Sequence, residues 1–260
     1  MSMKVVILAG GLGTRLSEYT DKIPKPMVQV GGKPILWHIM QRYAMFGYKD
    51  FVIALGYKGE IIKDYFLRFS QVNSNFTVNL RSGKIEPVEC LSEDWNVTLV
   101  DTGETTMTGG RLKRLERFID GDTFLMTYGD GVADIDIGKL IEFHCKEDNL
   151  ATVTAVRPPT RFGELSLNGT FVERFEEKPQ MNDGWISGGY FVLKKSILEL
   201  INDDETMFER EPLEAVASMG QLNAYRHEGF WQCMDTKRDL DALEGIIADT
   251  DGAPWLRKNK

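Results

Sequence analysis

The chain has 260 residues, enough to bury a sizeable core as one large α/β domain or two small ones. Hydrophobic residues at 42% and charged residues at 27% are ordinary for a folded globular protein and exclude a disordered class. A formal net charge of −8 excludes the basic footprint that nucleic acids require, yet permits a local Lys/Arg cluster around a small anion.

In chain order, Val5–Ala9 is a short apolar run and reads as a buried strand; it is too short for a secretory signal, so no leader is expected. Ile35, Leu36, Ile39, Met40 and Tyr43 then share one face of a helix opened by Pro34. Phe51–Leu55 is the next apolar strand, and Ile61, Ile62, Tyr65, Phe66 and Phe69 line the next helix. Residues 71–95 are polar and weakly periodic and read as a loop or small insertion. Val97–Val100, Phe124–Tyr128 and Thr152–Val156 are further strands, with a helix carrying Ile137, Leu140, Ile141 and His144 before the last of them.

Past about residue 157 the texture changes. Gly163–Ser166 and Phe171–Phe175 flank Asn168-Gly169, a type I′ hairpin signal, and Tyr190–Leu193, Leu222–Arg226 and Trp231–Met234 add strands. This alternation predicts an α/β fold with a Rossmann-like mixed, mainly parallel sheet flanked by helices. With no repeats and no low-complexity linker, residues 1–260 read as a single domain, with halves at about 1–150 and about 151–245. Cys90, Cys145 and Cys233 are odd in number and lack zinc spacing, so incidental thiols in a reducing cytoplasm are expected. No apolar stretch approaches the roughly 18 residues that span a bilayer, so no membrane partner is expected.

Directly after the first strand comes Gly10-Gly11-Leu12-Gly13-Thr14-Arg15. Glycines at the carboxyl end of a parallel strand let backbone N–H groups approach an anion. The Walker pattern is absent, and the dinucleotide fingerprint would need glycine where Leu16 stands. Cation placement separates this loop from both. Arg15 follows the glycines, and Lys25 lies in Ile23-Pro24-Lys25-Pro26-Met27, where two prolines predict an extended, pre-ordered segment. Asp130, in Tyr128-Gly129-Asp130-Gly131, is expected at a strand's carboxyl end, as a lone carboxylate suited to Mg²⁺ beside a triphosphate. Asp235, in Trp231-Gln232-Cys233-Met234-Asp235-Thr236, again ends a strand; taken alone, either aspartate also fits a helix N-cap. In Glu176-Glu177-Lys178-Pro179, Lys178 offers a fixed cation and Glu177 an acceptor for sugar hydroxyls, although the triplet also suits a solvated turn.

Gly10–Leu16 followed by Pro24–Val28 resembles the signature of the sugar-1-phosphate nucleotidylyltransferases, and the likeness extends from Lys4 to about Leu243. It implies the nucleotide-diphospho-sugar transferase type of fold, Mg²⁺ as cofactor, and Arg15 and Lys25 as catalytic residues on the triphosphate. Asp130 and Asp235 are implied as metal ligands. Leu8, Ala9, Gly10, Gly11, Gly13, Thr14, Thr106, Arg111 and Gly129 are implied on the nucleotide, and Gly163, Glu177, Lys178, Ser187 and Gly188 on the sugar phosphate. Pro34–Met40, Trp95–Gly103 and Thr108-Gly109-Gly110-Arg111 resemble the branch that uses CTP and glucose 1-phosphate, in which the Thr-Gly-Gly-Arg segment lies near the base. Cytosine offers two adjacent acceptors, so Thr106 and Arg111 are the candidates for choosing CTP. Ser187 stands where the branch leads one to expect Asn, leaving the sugar less constrained than the reaction. The resemblance also implies a homo-oligomer and a role in deoxysugar and cell-surface polysaccharide (O-antigen) synthesis.

The implied reaction is an in-line attack by a sugar 1-phosphate oxygen on the α-phosphorus, releasing pyrophosphate. That oxygen is already ionised, so no general base is needed, and His38 and His144 read as structural. Three other readings compete: a non-catalytic sugar-nucleotide-binding regulator, a nicotinamide oxidoreductase, and the same chemistry with UTP, dTTP or GTP.

Overall fold

Strands β1 (Val5–Leu8), β2 (Asp50–Leu55), β3 (Asn96–Asp101) and β4 (Thr123–Tyr128) run parallel, with β1 paired to both β2 and β4 and β3 outside β2. The computed structural model describes residues 3–89, 92–157, 164–168, 170–176, 184–250 and 252–258. The strand β5 (Gly131–Ala133) follows β4 almost at once, and β6 (Ala151–Val156), β7 (Ile186–Lys194) and β8 (Leu222–His227) extend the sheet. The order is β8-β6-β7-β4-β1-β2-β3, and only β7 runs against the rest. A last short strand, β9 (Trp231–Cys233), pairs with β5 apart from this sheet.

Helices cover both faces because successive residues of each strand point opposite ways. Val5 and Ile7 of β1, with Phe51 and Ile53 of β2, pack under α1 (Ile35–Ala44), α2 (Gly59–Val72), α4 (Ile137–Glu147) and α6 (Lys237–Ala248). Val6, Leu8, Val52 and Ala54 face the other way, toward α3 (Thr108–Arg114), α5 (Glu211–Ser218) and the buried Phe191 and Phe208. Each such fully buried aliphatic or aromatic side chain stabilises the fold by about 1.5–3 kcal/mol. The expected α/β fold is the observed one, with the strand ends of the main sheet within a residue of those read from the sequence except for β7, which begins at Ile186 rather than Tyr190.

One local expectation is sharpened and another is met. Within 71–95 there is an antiparallel hairpin, Asn75–Val78 with Ile85–Glu89, whose mixed polar and apolar residues face solvent and so carry no clean period. The hairpin expected here is present, with Glu164–Asn168 paired to Phe171–Glu176.

The chain runs outward from β1 through β2 to β3, then returns to β4 on the other side of β1. The carboxyl ends of β1 and β4 therefore border the crevice where the strand order reverses, the place where open α/β sheets bind ligands.

Candidate active site

A cavity of about 680 Å³ opens at that crevice, a size that accommodates a nucleotide. Its lining includes Leu8, Ala9, Gly10, Gly11, Gly13 and Thr14 from β1 and its loop, Lys25, Thr106 and Arg111, and Gly129 and Asp130 beyond β4. These include all the residues expected on the nucleotide. The backbone of Arg15 lies in the single 3-10 turn Thr14–Leu16 that closes the loop. Gly13 has a φ of +64°, which L side chains rarely adopt, and there the chain turns from strand to helix. A Cβ on Gly11 would meet nothing within 4 Å, so the strip above it is open to a ligand.

Lys25 is only 8% exposed and starts the 3-10 turn Lys25–Met27 rather than lying in an extended stretch. Pro24 before the turn and Val28 after it are extended; Pro26 fits the turn because a first-turn residue has no intrahelical partner for its N–H. The Lys25 ammonium donates to Asp130 Oδ2 at 2.8 Å and to Asp235 Oδ1 at 2.5 Å. Burial opposes its charge, but Asp130, and then Asp235, outweigh that and hold its pKa above the ordinary 10.5.

Asp130 sits between β4 and β5, and Asp235 follows β9, so the β5–β9 ladder brings the two carboxylates together. Met234 N donates to Asp130 O at 2.9 Å and closes that junction. The helix-cap alternative fails for both. Asp130 precedes a strand, and α6 is capped by Thr236, whose side chain accepts from Asp239 N while the Asp239 carboxylate accepts from Thr236 N. Asp130, Cys233 and Asp235 hold one ligand atom each within 4.8 Å of one another. Burial first, then Asp130, pushes the Cys233 thiol well above its usual range, so it stays protonated and leaves two hard oxygen donors, which suit Mg²⁺. The sequence reading took Cys233 as an incidental thiol; its spacing of two from Asp235, which places both on one face of an extended chain, was the available signal of its place beside the carboxylates.

Arg111 reaches the cavity from α3, but its guanidinium faces inward, with both terminal nitrogens bonded to protein oxygens. Thr106 is buried beside it, with the loop from Glu104 to Thr108 forming one wall. Tyr128 and Glu104 also line the cavity and were not singled out in the sequence. The Tyr128 hydroxyl donates to Glu209, which also accepts from Thr108 Oγ1 at 2.6 Å. These contacts span 81 and 101 positions, which no local pattern reveals.

On the sugar side, Ser187 and Gly188 open β7 and stand near the carboxyl end of β4, since Tyr190 pairs with Thr127. Neither lines the cavity. Gly188 O accepts from Trp231 Nε1 at 2.8 Å. Gly163, Glu177 and Lys178 lie outside the described residues. His38 and His144 are buried and bonded to Val30 O and Thr152 Oγ1, respectively, in keeping with structural roles. Among the described residues, no helix is long and apolar enough to cross a membrane.

A family model described as nucleotidyl transferase matches residues 4–236. The glucose-1-phosphate cytidylyltransferase of Salmonella typhimurium is 52% identical over 254 residues, covering 97% of this chain and 98% of that protein. Among solved structures, HddC from Yersinia pseudotuberculosis is similar with a TM-score of 0.70 and 27% identity, over 94% of this chain and 98% of that one. The same protein complexed with GMP-PN gives a TM-score of 0.68 at 26% identity, over the same shares of the two chains.

Proposed function

The chain belongs to the nucleotidyl transferase family, and we propose that it transfers the cytidylyl group of CTP to α-D-glucose 1-phosphate, giving CDP-glucose and pyrophosphate. The observation that carries this reading is the Lys25 ammonium between Asp130 and Asp235 at the edge of a nucleotide-sized cavity floored by glycines. The choice of CTP and glucose 1-phosphate is supported by 52% identity to an enzyme of that name.

The loop Gly10–Thr14 would hold the triphosphate on its backbone N–H groups, with the open space above Gly11 as the point of closest approach. Arg15 and Lys25 would balance charge at the reacting phosphates, and Lys178 would do so at the sugar phosphate. Glu177, Gly163, Ser187 and Gly188 would orient the sugar. Asp130 and Asp235 would hold Mg²⁺, which supplies charge neutralisation on the phosphate oxygens when bound. The nucleophile is an ionised phosphate oxygen, so what remains for the protein is to align two polyanions in line and stabilise the transition state.

We assign the reaction to the cytoplasm, where CTP is held, and the chain to a homo-oligomer. The oligomer is supported by a run of exposed apolar side chains: Leu67 and Val72 on α2, and Leu80 and Val88 in the adjoining hairpin segment, are each 70–90% exposed. The helix α2 packs against β3, whose outer edge has no neighbour in the sheet among the described residues.

Pyrophosphate release measured across CTP, UTP, dTTP and GTP, each with glucose 1-phosphate and mannose 1-phosphate, tests the assignment. CTP with glucose 1-phosphate should be fastest by at least about tenfold, the discrimination that about 1.4 kcal/mol supplies. A faster reaction with another pair would replace the substrate named here.

A further inference from the structure

Among the described residues, the two buried arginines have their guanidiniums engaged by protein oxygens. Arg42 donates to Ile135 O, Asp134 O and Arg257 O, and Arg111 to oxygens of Gly10, Leu55, Thr102, Gly103 and Glu104. Arg157, directly after β6, differs. Its Nε is buried without a hydrogen-bond partner, while its terminal nitrogens are not buried in that way. A merely solvated arginine keeps its Nε wet, so this burial needs a cause.

The cause is an indole. Arg157 Cζ lies 4.5 Å from the centroid of the Trp185 ring, and Arg226 Cζ lies 5.7 Å from the same ring. The sheet dictates the grouping. Ala155 pairs with Ser187 and Val156 with Ile186 in the antiparallel β6–β7 ladder, so Arg157 and Trp185 come opposite each other where that ladder ends. Ala155 also pairs with Arg226 in the parallel β6–β8 ladder, and positions 155 and 157 share a face of the sheet. Attraction of each guanidinium to the ring offsets the repulsion between the two. In a chain of net charge −8, no carboxylate among the described residues pairs with either one. Two cations ordered in this way, one of them exposed, form a receptor for an anion.

The place of the cluster adds a second constraint. Only β7 runs against the rest of the sheet, so the carboxyl ends of β6 and β8 lie along the same edge as those of β1 and β4. Trp185 stands two positions before Ser187, on the far side of β7 from the nucleotide-sized cavity. We infer that Arg157 and Arg226, ordered by Trp185, bind a phosphate dianion beyond the sugar end of the crevice, apart from the groups that meet the reacting phosphates. The words "sugar end" rest on the function proposed above; the anion site itself rests on the two guanidiniums. Planar N–H forks match the oxygens of a phosphoryl group, whether it is a free anion or a second phosphate on the sugar.

The test is calorimetric titration of inorganic phosphate into protein saturated with CDP-glucose and Mg²⁺, which fill the proposed active site. Wild type should bind one phosphate per chain with a Kd below about 1 mM. Arg157→Ala and Arg226→Ala should each weaken that binding by at least about tenfold. Because Arg157→Ala can fail to fold, Arg226→Ala, at an exposed position, is sufficient on its own. No binding by wild type, or undiminished binding in Arg226→Ala, would overturn the inference. Glucose 1,6-bisphosphate, titrated without CDP-glucose, separates the two sources of the phosphoryl group. Binding at least about tenfold tighter than glucose 1-phosphate, with the advantage lost in Arg226→Ala, would assign it to the sugar. Phosphate binding without that advantage would assign a free anion. Wild type that fails to bind CDP-glucose would count against the proposed active site, and phosphate titration of the ligand-free wild type and Arg226→Ala would still decide the anion site.

Discussion

Lys25 Nζ donates to Asp130 Oδ2 at 2.8 Å, across 105 positions of sequence, and so ties the turn after the phosphate loop to the end of β4. Asp235 completes the contact at 2.5 Å from the far end of the chain. The ammonium thus neutralises two carboxylates that would otherwise repel, and it lines the cavity proposed for the nucleotide. On that proposal, substrate neutralisation and the pairing of the aspartates draw on the same side chain.

Replacing Lys25 by Ala is expected to lower kcat about 10²–10³-fold, the usual cost of removing one preorganised charge from a transition state. Circular dichroism should still report a folded protein. Near-normal pyrophosphate release from Lys25→Ala would sink the catalytic assignment.

Asp235→Asn should separate metal binding from helix capping. The cap of α6 is Thr236 with Asp239, so the asparagine variant should keep the wild-type Tm while requiring more Mg²⁺ for half-maximal rate. Thr236→Ala should show the converse, losing about 1 kcal/mol of stability with a smaller effect on the Mg²⁺ requirement. Chelation with EDTA should abolish wild-type turnover, and added Mg²⁺ should restore it. Turnover that is indifferent to EDTA would remove the metal from the reading.

Acid should destabilise the fold through His38 and His144. Burial is the first cause of a lowered pKa in both, so each is held neutral in the folded state while the unfolded chain titrates near 6.5. Their contribution is complete above about pH 6.5 and is lost as pH falls through the depressed folded values. Denaturant titrations at pH 7.5 and pH 5.5 should show lower stability at pH 5.5, and His144→Gln should reduce that difference. An unchanged pH dependence in His144→Gln would exclude His144 as a source.

The exposed apolar residues of α2 and the hairpin segment make a prediction for assembly. Wild type should sediment as an oligomer, and Leu80→Lys combined with Val88→Lys should shift it toward the monomer, because two charges would be buried against apolar surface. A wild-type monomer at micromolar concentration would end the proposal.

Much of the frame was legible in the sequence because its signals are local. Val5–Leu8 or Thr123–Tyr128 reads as a buried strand from four to six consecutive apolar or β-branched residues, and α1 reads as a helix from one apolar face behind Pro34. The hairpin within 71–95 was illegible, since both of its strands lie exposed and its pattern does not alternate cleanly. In the site, the glycine loop, Lys25, Asp130 and Asp235 stood out by residue type and by position after strands. Tyr128 with Glu209, and the thiol of Cys233 beside two carboxylates, did not, because only folding makes them neighbours.

Sequence by itself determined the α/β frame and the glycine loop after the first strand, and it singled out Lys25, Asp130 and Asp235 as candidates, because periodicity and turn residues act within a few positions of one another. Tertiary structure alone decided how those groups are spent. It placed the Lys25 ammonium between two aspartates, assigned the α6 cap to Thr236, and directed the terminal nitrogens of Arg111 onto five oxygens from three distant segments. The reason is that a hydrogen bond depends on ångström-scale approach in space, and β5 and β9, or Gly10 and Arg111, meet only once the sheet is assembled.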